Sequence, residues 1–506
     1  MNIIYTTMGS LFGVYYNSYK SLSEKKKLGN IGFYVCDKQY FENFSSTNSY
    51  NDISIMKEWE LYDEAMKIEC NISEIKKIEN TYFNDESFWN CLYNDRRIFM
   101  GKYCKHTQDY TPRYTHQELL KIFQLFSKRI ENFINEISPD VIVGFTPTTI
   151  GEYLFFKIAK QNKIKSLILR PTKIKNNLTF TDYFDETYPE IKKDYELFRD
   201  SSSTNGFNKD KAIKYVSDFN NKNGVDYEGL VVYNYEIKKI LAYPFQAIRS
   251  IIHDISSILD KKDNHIQGLY FKKFLYDGPY RDIKSIYHSI IIKKRLKSLT
   301  EIKKESYVFF PLHSEPEIAI TLFSRPHYNQ IEVIRNIALQ LPSDFKLLVK
   351  EHPRNIGRRS ANYYRKILDI PNVDFAMPSL STVVISKHTK MTIVLAGFVG
   401  FETLLNKKPV ITLGSTSFNM LPKTMINNVS NIKYLYKEIH WSLSNFNYDE
   451  SVIISFISSI IKNSIPIDLY TVLLKKKGRK GGNNFSEKIY SQNIERLTNF
   501  IISKIY

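Results

Sequence analysis

Short apolar runs and amphipathic segments of helix length alternate along the chain between about residues 305 and 415. The runs are rich in β-branched and aromatic residues, as buried strands are. They are YVFFPL (307–312), FKLLV (345–349), VDFA (373–376), MTIVLA (391–396) and PVITLG (409–414). Because strict alternation of strands and helices produces a parallel sheet with right-handed crossovers, the pattern predicts a Rossmann-like domain over residues 301–450.

The first half of the chain contains another alternating set. A βαβ unit is formed by DVIVGF (140–145), a helical segment and KSLILR (165–170), and a further strand opens the chain at NIIYTT (2–7). These elements predict an N-terminal α/β domain over residues 1–300. The whole chain is therefore predicted to be an α/β protein with two Rossmann-like domains facing across a crevice, where open parallel sheets bind ligands.

Three further segments lack strand signals. Residues 201–224 are polar and rich in Gly, Asn and Ser, which predicts a surface segment. The pattern over residues 235–300 is helical and basic, and this stretch is expected to lead into the second domain. Residues 451–506 are predicted to form a C-terminal helical extension.

Composition indicates a folded protein with an acidic partner or a lysine-rich surface. Of the 506 residues, 43% are hydrophobic, and 36 Tyr and 33 Phe exclude a disordered chain. The formal charge of +18 suits nucleic acid, an anionic membrane or a phosphate-bearing substrate, but it also suits ordinary solvated lysines. Because we find no aromatic RNA-binding motif, zinc finger or basic helical stripe, no nucleic acid partner is expected.

Cysteine spacing and hydropathy bear on location. The four cysteines, Cys36, Cys70, Cys91 and Cys104, form neither a CxxC pair nor a Cys/His cluster, so neither zinc nor a disulfide framework is predicted. The N-terminus has no signal-peptide pattern, and no uncharged apolar run is long enough to cross a bilayer. We expect a cytoplasmic protein, and peripheral contact with the anionic inner face of the cell membrane stays open.

Charged and aromatic side chains come directly after the strand FKLLV. If the extended geometry continues, Lys350 and His352 emerge on the same side at the carboxyl end of the strand, and Pro353 ends it. An ammonium beside an imidazole suits a phosphate group. The alternative is a surface lysine and a histidine that serve no ligand.

A glycine-rich turn comes after the strand MTIVLA. Gly397 and Gly400 permit close approach of the backbone to a ligand, and the start of the next helix favours an anion. Glu402 in the first turn of that helix can accept hydrogen bonds from ribose hydroxyls, or it can simply complement the helix dipole.

Carboxylates near strand ends are candidates for the base that activates an acceptor hydroxyl. In the second domain Glu315 and Glu317 lie in the loop after the first strand, and Glu315 is expected to be a solvated loop residue. In the first domain the candidates are Asp95, which is flanked by two arginines, and Glu152, which lies after a strand. An ordinary ion pair for Asp95 and a helix-face position for Glu152 are the alternatives.

The segments YVFFPLHSEPE, LPSDFKLLVKEHPR, VLAGFVGFETLLNKKPVITLG and SPDVIVGFTP resemble bacterial capsule polysaccharide synthesis proteins. That family is a glycosyltransferase group of GT-B fold that includes Kdo transferases using CMP-Kdo. The resemblance is best over residues 305–425 and looser over 85–185. It implies that Lys350, His352 and Pro353 contact the phosphate of a nucleotide.

The same resemblance implies that Gly397, Gly400 and Glu402 bind the nucleotide of the donor. Two positions depart from the family pattern. Ala396 stands where a serine or threonine is usual, and Lys407 stands where a glycine is common. Both departures concern the identity of the donor and leave the predicted fold unchanged.

Together these observations predict a metal-independent glycosyltransferase that moves a sugar from a nucleotide-activated donor, with a CMP-sugar favoured, to a surface polysaccharide or a lipid-linked glycan. No cofactor is expected besides the nucleotide-sugar, which is a co-substrate. The alternatives are a teichoic-acid-type polyol-phosphate transferase, which shares the fold and a His-Pro element, and a non-catalytic scaffold of capsule assembly.

Overall fold

The computed structural model describes residues 1–45, 50, 52–99, 113–185, 188–200, 206–222, 224, 240–259, 270–315, 317–476 and 481–505. Cys104 lies outside the described residues. The strands are β1 (Ile3–Thr7), β2 (Ile31–Val35), β3 (Ser54–Lys57), β4 (Val141–Phe145), β5 (Lys165–Pro171), β6 (Asn177–Thr181), β7 (Leu296–Lys297), β8 (Tyr307–Pro311), β9 (Lys346–Lys350), β10 (Val373–Ala376), β11 (Met391–Val394), β12 (Val410–Thr412), β13 (Ile426–Asn428) and β14 (Ile465–Pro466).

Helices cover both sheets and make up most of the remaining described chain. They are α1 (Leu11–Lys25), α2 (Lys38–Ser45), α3 (Glu58–Ala65), α4 (Ile72–Tyr82), α5 (Trp89–Asn94), α6 (Arg96–Phe99), α7 (His116–Ile137), α8 (Ile150–Gln161), α9 (Pro189–Asp200), α10 (Gly206–Lys222), α11 (Tyr243–Leu259), α12 (Tyr270–Asp277), α13 (Pro279–Ile292), α14 (Leu299–Ile302), α15 (Ile318–Thr321), α16 (Gln330–Leu339), α17 (Ala361–Leu368), α18 (Thr382–His388), α19 (Val399–Leu405), α20 (Leu435–Asn445), α21 (Glu450–Lys462) and α22 (Glu487–Ile505).

The first sheet has seven strands in the order β14-β6-β5-β4-β1-β2-β3. Strands β1 to β5 pair with one another in parallel, whereas β6 is antiparallel to β5 and β14 is antiparallel to β6. Strand β1 is buried at every position. Helices on both faces explain why its sequence does not alternate between buried apolar and exposed polar residues.

The second sheet has seven strands in the order β13-β12-β11-β8-β9-β10-β7, all parallel. Two parallel-rich sheets confirm the predicted α/β fold with two Rossmann-like halves. The edge strand β7 pairs with β10 through Leu296 and Lys297, so the sheet begins before residue 301, the predicted start of the second domain.

Helix α10 replaces the polar surface segment predicted over residues 201–224. Of that range the structure describes 206–222 and 224, and the prediction is wrong there because α10 buries one face. The buried side chains are Ala212, Tyr215, Val216 and Phe219. They recur at helical spacing and join a core shared with α19 and α21, but the many Asn, Asp and Lys residues between them hide the pattern.

The C-terminal residues pack against the first domain. Strand β14 extends the first sheet, and α22 lies against α1. The Ser18 and Thr498 hydroxyls are 3.0 Å apart, and the ring centroids of Phe180 and Phe500 are 5.0 Å apart. The chain therefore returns to its first domain after building its second.

A polar bridge joins the two domains beside helix α15. The Arg325 guanidinium bonds to Glu86 and to the Tyr153 hydroxyl, and the Thr321 hydroxyl donates to Oδ1 of Asn94 at 3.2 Å. Leu322 is buried within the core of the first domain. These contacts fix one end of the crevice between the sheets.

Within the described part of the chain, the helices are all too short or too polar to cross a membrane.

Candidate nucleotide site at the strand ends of the second domain

Three neighbouring strands deliver the candidate side chains to one edge of the second sheet. Strands β11, β8 and β9 are adjacent, and each runs in the same direction. Directly after these strands come Gly397 (β11), His313 (β8) and His352 (β9). Because parallel strands end at one edge, segments far apart in sequence meet there.

Lys350 and His352 lie close together at the end of β9, as the strand geometry predicts. Lys350 is 4% exposed, and its Nζ donates to the carbonyl oxygen of Pro378 at 3.4 Å. The Nδ1 atom of His352 accepts a hydrogen bond from the backbone N–H of Arg354 at 3.2 Å. In the neutral ring Nε2 therefore carries the proton and can donate it to an anion. Pro353 begins a short 3-10 turn, Pro353–Asn355, and so ends the strand.

Burial favours the neutral forms of His352 and Lys350. The pKa of His352 is lowered to about 3 by burial and by the nearby His313, Arg354, Arg359 and Lys350. Burial also lowers the pKa of Lys350, against the opposing effect of Glu351. An anion that entered here would reverse both effects, because it favours the charged forms.

His313 is the group that links the two predicted motifs. Its ring faces Gly397 so closely that a Cβ atom at that glycine would be 3.2 Å from Cε1. Its Nε2 is buried, with no hydrogen-bond partner among the described residues. Burial, Lys173 and Arg359 lower its pKa to about 3. A buried ring nitrogen without a partner is suited to a ligand atom.

Arg359 braces the two loops that carry the histidines. This fully buried guanidinium pairs with Glu315 at 2.9 Å and with Glu351 at 2.8 Å, and it donates to the carbonyl oxygen of His313 at 2.7 Å. The expectation that Glu315 is solvated is wrong, because it is 3% exposed within this network. These ion pairs and hydrogen bonds hold the two loops in one geometry.

Glu402 lies beneath the glycine turn. It is 5% exposed and accepts a hydrogen bond from the Thr382 hydroxyl at 3.3 Å. Burial raises its pKa to about 7, although Thr382 and Lys173 act in the opposite direction. Gly400 permits the close packing above it, since a Cβ atom there would be 3.0 Å from the Val394 side chain.

The first domain contributes Lys173 to the same place. Lys173 lies just after β5 with a φ of 61°, and burial lowers its pKa while Glu317 and Glu402 of the second domain oppose that effect. Beside it lies a small cleft between the domains. The cleft is lined by Pro171, Thr172, Lys173, Tyr188, Ile191, Ala396, Phe398, Thr416, Ser417, Phe418 and Ile460.

The three carboxylates predicted as candidate bases lie in different surroundings. Asp95 is fully buried, pairs with Arg97 and accepts a hydrogen bond from the backbone N–H of Ile150 at 3.1 Å. Glu152 is 1% exposed and accepts from the backbone N–H of Thr148 at 2.9 Å. Burial raises the pKa of Glu152 to about 7. In these positions both carboxylates stabilise the start of α8 and are shielded from the crevice.

Glu317 alone of the three reaches the crevice. Its side chain is 34% exposed, and its carboxylate lies 4.0 Å from Nδ1 of His313 and 4.0 Å from Arg354. Its charge also acts on Lys173 across the crevice. Glu317 therefore lies among the groups that converge on the strand ends.

Sequence reasoning missed His313, Arg359 and Lys173. A signal existed for His313, because it comes directly after a strand of the same sheet. Lys173 and Arg359 carry no local signal, since their partners come from other loops and, for Lys173, from the other domain. Within the described ranges, no cluster of three or more His, Cys, Asp or Glu side chains could hold a metal ion.

A family model described as capsule polysaccharide biosynthesis protein matches residues 267–433. The match covers about a third of the chain, and we call residues 267–433 the capsule biosynthesis segment. The capsule biosynthesis segment contains all seven strands of the second sheet and helices α12 and α13. It therefore contains every residue of the candidate nucleotide site except Lys173.

The chain is also similar to one curated protein and to several solved structures. Protein FixF of Sinorhizobium fredii (strain NBRC 101917 / NGR234) is 31% identical over 121 residues, which cover 22% of this chain and 28% of that protein. Thermosulfurimonas dismutans KpsC, a beta Kdo 2,4 transferase, has a TM-score of 0.37 at 12% identity, covering 70% of this chain and 87% of that chain.

A UDP-GlcNAc 2-epimerase from Neisseria meningitidis bound to UDP-GlcNAc has a TM-score of 0.28 at 12% identity, covering 91% of this chain and 98% of that chain. TM-scores this low establish neither a shared activity nor a shared substrate.

Proposed function

We propose that the protein is a glycosyltransferase that moves a sugar from a nucleotide-activated donor, with a CMP-sugar favoured, to a surface polysaccharide or lipid-linked glycan. The observation that carries this proposal is the convergence of Lys350, His352 and His313 on one edge of the second sheet, within the capsule biosynthesis segment. A buried lysine and two neighbouring imidazole rings at one sheet edge suit a phosphate.

In this proposal the second domain stabilises the leaving nucleotide. Lys350 supplies charge from a buried position, and His352 donates from Nε2 of a half-buried ring to a phosphate oxygen. Electrostatic interactions are stronger in such surroundings than in water, and fixed donors need no reorganisation as charge develops. Gly397 lets the His313 ring approach the turn closely, and Glu402 receives hydroxyls of the ribose.

Glu317 is the proposed base for the acceptor hydroxyl. It is the candidate carboxylate that faces the crevice, and it lies opposite Lys173 of the first domain. The reaction transfers the anomeric carbon of the sugar from the phosphate oxygen to the acceptor oxygen. Glu317 takes the proton of that hydroxyl, and the nucleotide leaves with the bonding electron pair.

The proposal is tested by titrating CMP, CDP, UDP and GDP into the full chain and measuring affinity by calorimetry and melting temperature. We expect one nucleotide to bind and to stabilise the protein, by about 2.7 kcal/mol at a hundredfold excess over Kd. His352→Ala should weaken its binding by about tenfold to hundredfold, the effect of losing a hydrogen bond to a charged group.

His440→Ala is the matched control, because His440 is exposed and lies on α20, where its ring packs beside Tyr436. Binding by neither protein, or equal binding by the wild type and His352→Ala, would refute the phosphate site. A bound nucleotide that supports turnover of a CDP-polyol but of no nucleotide-sugar would assign the protein to the polyol-phosphate transferases instead.

A further inference from the structure

Helix α11 presents a stripe of large apolar side chains to solvent. The exposed fractions are 78% for Phe245, 58% for Ile248, 62% for Ile252 and 52% for Ile255. Their spacing of three and four residues places them on one face of the helix. A stripe of this kind is normally buried against another element.

Helix α13 presents a second stripe. Ile283, Ile286 and Ile290 are 67%, 57% and 65% exposed, and Tyr280 and Tyr287 accompany them at 49% and 45%. The opposite face of α13, with Ser285, His288 and Ile292, is buried, and its neighbour there is α17. The exposed side is thus the outer surface of a well-anchored helix.

The two helices belong to one packed unit. Helix α12 lies between them in sequence, contacts both and exposes Leu275. The Tyr243 hydroxyl, at the start of α11, donates to Asp282 of α13, and the backbone N–H of Phe271 donates to Asp254 of α11 at 2.9 Å. We call the exposed apolar side chains of α11 and α13 the helical surface.

Positive charge surrounds the helical surface. Arg249, Lys293 and Lys294 are exposed, and Arg365 of α17 donates to the Tyr287 hydroxyl at 2.9 Å. Over residues 243–259 and 270–295 the sequence has eight Lys and Arg against three Asp and no Glu. Exposed isoleucine and phenylalanine, tyrosine at the edge and a basic rim are typical of helices that lie in a membrane interface.

We propose that the helical surface docks on an anionic lipid bilayer. Its isoleucine and phenylalanine side chains enter the boundary between headgroups and acyl chains, and the basic rim contacts lipid phosphates. The exposed apolar residues favour insertion into a bilayer over a purely electrostatic contact. The net positive charge of the helical surface favours anionic lipid over an apolar face of another protein. Bilayer binding does not depend on the proposed transfer reaction.

Docking would orient the nucleotide site relative to the membrane. Arg281 of α13 donates from Nε to the carbonyl oxygen of Ile356 at 2.8 Å, and Lys284 donates to that of Arg358 at 3.0 Å. The segment that contains these carbonyls comes directly after His352. The same helix thus carries the apolar stripe on one side and supports the candidate phosphate site on the other.

The test is co-sedimentation of the full chain with phosphatidylcholine vesicles that do or do not contain phosphatidylglycerol. We expect binding to the anionic vesicles, and we expect it to weaken between about 0.1 M and 1 M NaCl, because the Debye length falls from ~10 to ~3 Å. The double variant Ile252→Glu with Ile286→Glu should reduce binding by about tenfold or more, since it places charge in the apolar contact.

Matched controls distinguish binding through the helical surface from nonspecific hydrophobic or electrostatic binding. Ile72→Glu with Leu339→Glu changes two exposed apolar residues elsewhere, 49% and 77% exposed, and should bind like the wild type. Lys293→Glu with Lys294→Glu should weaken binding, whereas Lys433→Glu with Lys437→Glu should not. Circular dichroism and melting temperature verify that each variant is folded.

Three results would overturn the proposal. They are the absence of binding to anionic vesicles, unchanged binding by the Ile252 and Ile286 double variant, and equal binding to vesicles with and without phosphatidylglycerol. Sedimentation velocity measures the oligomeric state and so tests whether a second copy of the chain covers the helical surface instead. A wild-type dimer that this double variant dissociates, together with no vesicle binding, would assign the helical surface to a second copy of the chain.

Discussion

Glu402 combines deep burial with a pKa raised from 4.5 to about 7. The folded protein therefore holds a proton on this carboxyl at pH values where the unfolded chain has released it. By linkage, its contribution to stability is complete below about pH 4.5 and is lost as the pH rises towards 7. Above pH 7 the buried carboxylate is charged and poorly solvated.

We predict that Glu402→Gln removes this decrease in stability with rising pH. At pH 4 the variant and the wild type should have similar stability, and at pH 8 the variant should be more stable by about 1–3 kcal/mol, the free energy of a pKa shift of this size. Thermal unfolding at the two pH values measures the difference. The exposed Glu196→Gln is the control, and a parallel response of the two variants would contradict the assignment to Glu402.

Among the secondary-structure elements, helix α13 and the turn after β9 are fitted to each other at Gly357. This glycine has a φ of 75°, and a Cβ atom there would lie 2.2 Å from the backbone oxygen of Arg281. Arg281 in turn donates from Nη2 to the carbonyl oxygens of Pro353 and Arg354 at 3.4 and 3.3 Å. The position of His352 therefore depends on a helix from about 70 residues earlier in the chain.

Gly357→Ala should destabilise the second domain and weaken nucleotide binding. The left-handed backbone costs an alanine about 1–2 kcal/mol, and the contact with the Arg281 backbone should add about 1–3 kcal/mol. Urea unfolding measures the loss. Gly9→Ala isolates the backbone effect, because Gly9 has a φ of 57° but the nearest atom would be 3.9 Å from the added Cβ. Equal losses in the two variants would refute the close contact.

Across the molecule as a whole, the domains are joined by charges that are largely shielded from water. Burial disfavours the charge of Glu86, but the hydrogen bond from Lys157, the nearby Arg325 and the Tyr153 hydroxyl lower its pKa from 4.5 to about 2. Because the folded pKa is depressed, Glu86 stabilises the fold above about pH 4.5. That contribution is lost as the pH falls from 4.5 towards 2.

We predict that Glu86→Gln destabilises the protein at pH 7 by about 1–2 kcal/mol after allowance for solvent screening. The difference from the wild type should shrink at pH 4, where the wild-type carboxylate begins to lose its advantage. Melting temperatures at both pH values give the result. Glu60→Gln, on the exposed face of α3, is the comparison, and a loss that stays constant with pH would exclude the charge as its cause.

Local sequence patterns were sufficient to predict the two parallel-rich sheets and the place of Lys350, His352, Gly397 and Gly400 at strand ends. These features depend on contiguous apolar runs and on the few residues directly after each run. The patterns also indicated helices over residues 235–300, because helical period is a local property. They failed for α10, whose apolar face was hidden among polar residues.

The meeting of distant side chains and the exposure of particular faces emerged only from the folded chain. The pairing of Arg359 with Glu315 and Glu351, the approach of Lys173 to Glu317 and the contact of His313 with Gly397 join segments far apart in the chain. The pattern of α11 and α13 likewise specifies an apolar stripe but not its partner. Which side chains meet depends on how helices and strands pack together, because contacts between distant segments follow no fixed spacing along the sequence.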